Sequence, residues 1–233
     1  MLITKIAVAV IAFALVGSLS AADAKPELTD AEKADGWVLL FDGATNTGWK
    51  KMGGKGFPDK GWVIEDNCLH HTKKGGGGDI ITVDEYENFE LSLEWKIGDS
   101  GNSGVKYRVA DAAGAAFGPE YQILDDAKMK EGSNGKTSTG SLYEIFAPND
   151  KKKIKQGEFN STKIVVNGNH CEHWLNGEKI VEYEFFSDGW KAGVAQSKFK
   201  NNPKYGQPAK GHIALQDHGD EVWFRNIKIK VTK

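Results

Sequence analysis

The chain has 233 residues, with 30 basic and 32 acidic side chains and a formal net charge of −2. That near-balance excludes a polybasic surface for nucleic acid or membrane binding. Hydrophobic residues make up 39 % and charged residues 27 %, the range of a folded chain with a self-supporting core.

Met1 to Lys5 is short and positive, Ile6 to Val16 is an unbroken apolar run, and Ala22-Asp23-Ala24 supplies small residues. This is the layout of a secretory signal peptide over residues 1–24. A bilayer-spanning helix needs ~20 apolar residues, and this run is shorter. The expectation is a secreted or periplasmic protein with a single domain over residues 25–233 and no membrane attachment after cleavage. Export implies an oxidising compartment. The two cysteines, Cys68 and Cys171, either close one disulfide across a long loop or stay as two buried thiols. They are too few for a zinc site.

Thr29 to Ala34 reads as a short helix, capped by Thr29 or Asp30 and stopped at Gly36. After it the signal has period two. Short strands are expected at Trp62-Val63-Ile64 and Ile80 to Val83. Between them Lys73 to Gly78 reads as a flexible loop, with no strand leading in and no Lys-Ser/Thr following, so it is not a phosphate loop. Phe89, Leu91, Leu93 and Trp95 alternate with polar residues, as do Val105, Tyr107 and Val109, then Tyr121 and Ile123. Lys163 to Val166 and Lys179 to Val181 add strands, with Asn167-Gly168 and Asn176-Gly177 as hairpin signals. A second helix is expected over Ser187 to Lys198. Ile213 and Leu215 mark another strand. In the last strand Val222 and Phe224 lie on one parity and Ile227, Ile229 and Val231 on the other, which a bulge near Arg225-Asn226 would reconcile. Some dozen strands and little helix predict an all-β, antiparallel sandwich with one or two short helices. The 28 glycines, against an ordinary ~7 %, fit its many turns.

The informative positions are on the polar parity of the middle strands: Lys106 and Arg108, Glu120 and Gln122, Gln216 and His218. Amides, a carboxylate, a guanidinium and an imidazole bind sugar hydroxyls and move protons; a merely solvated sheet face is the plain alternative. Asp125-Asp126 either adds a carboxylate at the rim or forms a turn. His173 shares the parity of Cys171 and Leu175, which favours a buried, structurally bonded imidazole. The seven tryptophans are read as core before sugar platforms. No Gly-x-Ser-x-Gly, His-Glu-x-x-His or Cys-x-x-Cys occurs.

Several segments, in order, resemble the 3-keto-disaccharide hydrolase family of secreted bacterial proteins. They are Gly36-Trp37-Val38-Leu39-Leu40-Phe41-Asp42-Gly43, Asn102 to Arg108, Gly118-Pro119-Glu120-Tyr121-Gln122-Ile123-Leu124-Asp125, His173-Trp174-Leu175-Asn176-Gly177, Ser197-Lys198-Phe199, Gly211 to Gly219, and Phe224-Arg225-Asn226-Ile227. The resemblance implies a concanavalin A-like jelly roll and an oligosaccharide or glycoside substrate whose sugar is oxidised at carbon 3. It implies a base, an acid and a donor for an enolate oxygen. Glu120, His218 and His173 are the candidates for base and acid. Lys106, Arg108, Gln122, Lys198 and Gln216 are candidates for binding substrate, and Asp125 for orienting a basic partner. No cofactor is required, although a divalent ion such as calcium would suit a sandwich rim. The rival expectations are a non-catalytic, laminin G-like carbohydrate-binding module and a conventional glycoside hydrolase on the same fold.

Overall fold

The structure, a computed structural model, describes residues 25–112, 116–129 and 135–232. The expected signal peptide lies outside the described residues. Among those residues no helix is long and apolar enough to cross a membrane. Among the described residues, thirteen strands and two helices follow one another in this order. Helix α1 (Asp30–Ala34) precedes β1 (Trp37–Leu39), β2 (Trp49–Lys51), β3 (Trp62–Glu65), β4 (Cys68–His71) and β5 (Ile80–Thr82). Then come β6 (Phe89–Ile97), β7 (Asn102–Val109), β8 (Glu120–Leu124), β9 (Asn160–Asn167), β10 (His170–Leu175) and β11 (Glu178–Glu184). Helix α2 (Asp188–Gln196) is followed by β12 (His212–Leu215) and β13 (Val222–Val231).

The strands form two antiparallel sheets. One has eight strands in the order β11-β10-β9-β6-β13-β4-β3, with β1 added against β13; the other has five, β2-β5-β12-β7-β8. The chain crosses repeatedly from sheet to sheet, as from β4 to β5 to β6 to β7, and this is the expected jelly-roll sandwich. The core lies between the sheets, where Phe89, Leu91, Leu93 and Trp95 of β6 meet Tyr107, Tyr121, Ile123 and Ile213 of the smaller sheet. Trp49, Trp62, Trp95 and Trp190 are all buried in it.

Local chemistry explains the element ends. Thr29 accepts from the backbone of Glu32, which reaches back to the Thr29 backbone in a capping box, and Ser187 caps α2. Asn176 and Gly177 both take positive φ at the β10–β11 hairpin, as a two-residue turn of this kind requires. The bulge in β13 falls between Arg225 and Lys228, with Asn226 at φ 52°, and restores the inward face on both sides of it.

Two expectations are corrected. Cys68 and Cys171 are free, buried thiols. They sit on β4 and β10, four strands apart in one sheet, which is about 19 Å at the ordinary strand spacing and beyond the reach of a disulfide. The run Lys73 to Gly78 is packed rather than free. A Cβ at Gly61 would lie 1.5 Å from the Gly76 carbonyl oxygen, and one at Gly77 2.4 Å from that of Lys60. Trp62 donates to the Gly78 carbonyl, and the Gly78 amide donates to Asp217.

Candidate active site

The outer face of the five-stranded sheet is set by register. Lys106 on β7 stands directly opposite Glu120 on β8 and Ala214 on β12, and Gly104 stands opposite Gln122. The absence of a side chain at Gly104 has a specific use. A Cβ there would fall 2.3 Å from Glu120 Oε1, so the carboxylate lies across the bare backbone of β7. The Gln122 amide bridges its neighbours, one end 3.2 Å from Asn102 Oδ1 and the other 3.2 Å from Glu120 Oε1. With its nitrogen toward Glu120 it donates to the carboxylate.

A pocket of about 350 Å³ opens over this face, lined by Glu120, Lys106, Lys198 and Gln216 together with Phe117 and Phe199. Burial pushes the Glu120 carboxyl up to about 7, against the opposing pull of Lys106 and Lys198, with the Asp79 charge adding to the rise. Lys106 is itself buried and donates to Asp79 Oδ2 (3.3 Å) and to the Ala116 carbonyl (3.1 Å). Asp79 accepts from the amides of Ala116 and Asp217, both at 2.9 Å. Asp217 in turn lies 2.9 Å from His71 Nε2. A buried chain of polar groups therefore holds the floor from beneath. Lys198 is exposed, with its ammonium 4.3 Å from the centre of the Tyr143 ring. Gln216 Oε1 is buried with no hydrogen-bond partner among the described residues, an acceptor suited to a ligand hydroxyl.

The structure brings Lys106, Glu120, Gln122, Lys198 and Gln216 together. It places four expected residues elsewhere. His218 is not in the pocket lining; it is half exposed, with Nδ1 3.9 Å from Asp220, whose carboxylate accepts from the Asn102 amide. Asp125 accepts from the Ser100 amide at the β6–β7 turn, the turn-forming role. His173 is fully buried between the sheets. Its Nε2 is 2.7 Å from the Tyr107 hydroxyl and its Nδ1 3.0 Å from the Gly140 carbonyl, and burial pushes its pKa down to about 4. It is a neutral core imidazole, remote from the outer face. Arg108 also leaves that face. β7 carries a bulge against β12 between the pairs Val109–His212 and Lys106–Ala214, and Arg108 takes φ 53° there. Its guanidinium lies 3.8 Å over the Phe185 ring and donates to the Gly168 carbonyl.

Alternation alone did not point to Asp79, Gly104, Asp217 or Phe117. Asp79 follows the glycine run, and Gly104 and Asp217 sit inside the segments Asn102 to Arg108 and Gly211 to Gly219. Phe117 had no signal beyond standing beside Gly118-Pro119-Glu120.

A larger cavity, about 560 Å³, lies between the N-terminal segment and the outer face of the eight-stranded sheet. Its Glu32 and Glu94 are ion-paired with Lys228 and Arg225, and its third glutamate, Glu27, is exposed, so it offers no buried, unengaged carboxyl of the Glu120 kind. His170, Glu172 and Glu182, on β10 and β11, form the one group of metal-ligand type among the described residues. Lys179 already lies 3.1 and 2.7 Å from its two carboxylates.

A family model described as the 3-keto-alpha-glucoside-1,2-lyase-like domain matches residues 36–230. A Bacteroides thetaiotaomicron protein named 3-keto-disaccharide hydrolase is 34 % identical over 232 residues, covering 85 % of this chain and 79 % of that protein. A Parabacteroides distasonis protein of known crystal structure, provisionally described as a glycosyl hydrolase, is 34 % identical with a TM-score of 0.79. The match covers 90 % of this chain and all of that one. A second protein from the same organism, with the same description, is 30 % identical with a TM-score of 0.59, over 79 % of this chain and 99 % of the other.

Proposed function

Because this chain belongs to the 3-keto-alpha-glucoside-1,2-lyase-like family, we propose that its five-stranded face cleaves glycosides whose sugar carries a ketone at carbon 3. The single observation that carries the reading is Glu120. It is a buried carboxyl brought to about 7 beside two lysines in an open pocket, where a general base is most effective near neutral pH.

A ketone at carbon 3 acidifies the hydrogen on carbon 2. The Glu120 carboxylate takes that proton, and the C–H pair moves into an enolate whose oxygen faces the Lys198 ammonium. When the enolate collapses, the ketone reforms, a double bond forms between carbons 1 and 2, and the glycosidic oxygen leaves with the C–O pair. The proton held by Glu120 is available to that oxygen. Addition of water across the new double bond completes net hydrolysis. Gln216 Oε1 accepts from a sugar hydroxyl, and Gln122 steadies the carboxylate. Among the described residues the pocket lining has one carboxyl rather than the facing pair that an ordinary glycosidase uses, which favours elimination over an oxocarbenium route. Export belongs to the same proposal, and the intact mass of the mature protein tests it.

The deciding experiment incubates the purified protein with a 3-keto-glucoside and its parent glucoside and follows release of the leaving group. Release from the keto sugar alone is expected. Equal release from the parent would make the protein a conventional glycosidase, and binding without release from either would make it a carbohydrate-binding module.

A further inference from the structure

The lining of the pocket over Glu120 is of two chemical kinds. Lys106, Lys198 and Gln216 are polar members, and Ala116, Phe117 and Phe199 supply apolar surface. Phe117 stands apart from the other apolar members because it is 39 % exposed, whereas Phe199 is buried. A phenylalanine left in water at a pocket mouth gains nothing for the fold from its open surface. Yet its ring is not loose. It meets Phe199 at 5.9 Å and 74° and Tyr205 at 5.5 Å and 72°. Phe199 and Tyr205 are stacked on each other at 4.1 Å and 7°, and Tyr205 is stacked on buried Trp190 at 5.6 Å and 11°. A run of four rings thus leads from the core to the mouth and ends in Phe117. A ring braced in this way has little rotamer freedom left to lose when a flat apolar surface settles on it.

On the reading proposed above, the ketone-bearing ring has to reach Glu120, which is buried. The part of the substrate that remains at the mouth is then the leaving group. We infer that Phe117 is the platform of a leaving-group subsite that takes a flat apolar face, supplied either by an aryl ring or by the C–H face of a second pyranose. Stacking on Phe117 orients the scissile bond over the floor, while the polar side chains of the lining are kept for the sugar that reacts. Phe117 acts on specificity and takes no proton.

The test measures binding by calorimetry to Glu120→Gln protein, in which turnover is suppressed. The probes are three 3-keto-glucosides with methyl, 4-nitrophenyl and glucosyl leaving groups. Adding Phe117→Ala should weaken one or both ringed compounds about fivefold or more and leave the methyl compound unchanged, and Phe117→Tyr should restore the loss. Weakening of the nitrophenyl compound alone assigns an aryl leaving group; weakening of the glucosyl compound alone assigns a sugar; weakening of both assigns any flat ring. Equal weakening of all three, no weakening, or no binding of any of them overturns the subsite. Turnover of the same compounds by the protein with Glu120 and Phe117 in place tests the reaction separately. Phe117-dependent binding without cleavage would keep the subsite and remove the elimination chemistry.

Discussion

Glu120 holds its carboxyl where water cannot compensate the charge, and the sign of the consequence is opposite to that of a salt-bridged acid. Its folded pKa is about 7 against an ordinary 4.5, so between those values the folded chain binds a proton that the unfolded chain has lost. Stability therefore falls as pH rises through that window, by about 3 kcal/mol in order of magnitude. Glu120→Gln should melt higher than the unsubstituted protein at pH 8 and at the same temperature at pH 4, as thermal unfolding at the two pH values would show. The same substitution should lower turnover of a 3-keto-glucoside by ~10²-fold or more. A gain in stability with a loss of activity separates a functional carboxyl from a structural one. Glu120 and Gln122 were legible from alternation because β8 is a regular strand. What alternation could not supply is the bare backbone at Gly104 that lets the carboxylate lie flat.

The bulge in β7 is where strand-level reading failed. A period of two assigns Lys106 and Arg108 to one face, but one extra residue against β12 sends Tyr107 and Arg108 inward together. Val109 is thereby turned to the outer side, where it packs with Ile81 and Ala214. Nothing in the local composition marks the shift, because an arginine rather than a glycine takes the left-handed backbone. The β13 bulge was legible because the apolar parity itself slips there. Arg108 now joins β7 to the β9–β10 turn through the Gly168 carbonyl and to Phe185 through its stacked guanidinium. Arg108→Ala should cost about 1–3 kcal/mol through lost packing and an unpaired carbonyl, measured by urea unfolding. Its kcat at a permissive temperature should stay within about twofold. A collapse of turnover with an unchanged unfolding midpoint would return Arg108 to the substrate.

For the molecule as a whole, the sandwich was legible because most strands expose one face to solvent and so keep the alternation that betrays them. The three-dimensional pairing of sheets was not, and the cysteines show why. Their compartment argued for a bridge, but which strand lies beside which is set by the jelly-roll winding, and it places β13, β6 and β9 between them. Labelling of the denatured, unreduced protein should find two thiols per chain, and finding none would contradict the sheet order. In the folded protein both should react slowly, since burial raises each to about 11 and keeps it protonated. His173 shows the same logic for a base. Burial lowers it to about 4, so the unfolded chain binds its proton first and this residue's contribution is lost as pH falls through about 6. That slope opposes the one from Glu120, and the net dependence between pH 5 and 7 is flatter than either alone.

The stretch from Lys73 to Gly78 has the composition of a linker, and an engineer choosing where to insert an epitope tag, a fluorophore loop or new chain termini would choose it first. The close approach of Gly61 to Gly76 makes it one of the worst choices. The backbone there acts as a spacer of fixed thickness. It delivers Asp79 to Lys106 and lets Gly78 reach Asp217. Added residues would act at a distance, through the Asp79 carboxylate just before β5, three strands away from the reacting group on β8. A permissive position is better sought at Gly157, where an added methyl group meets nothing within 4 Å. Tolerance to insertion in this fold thus follows backbone proximity rather than glycine content.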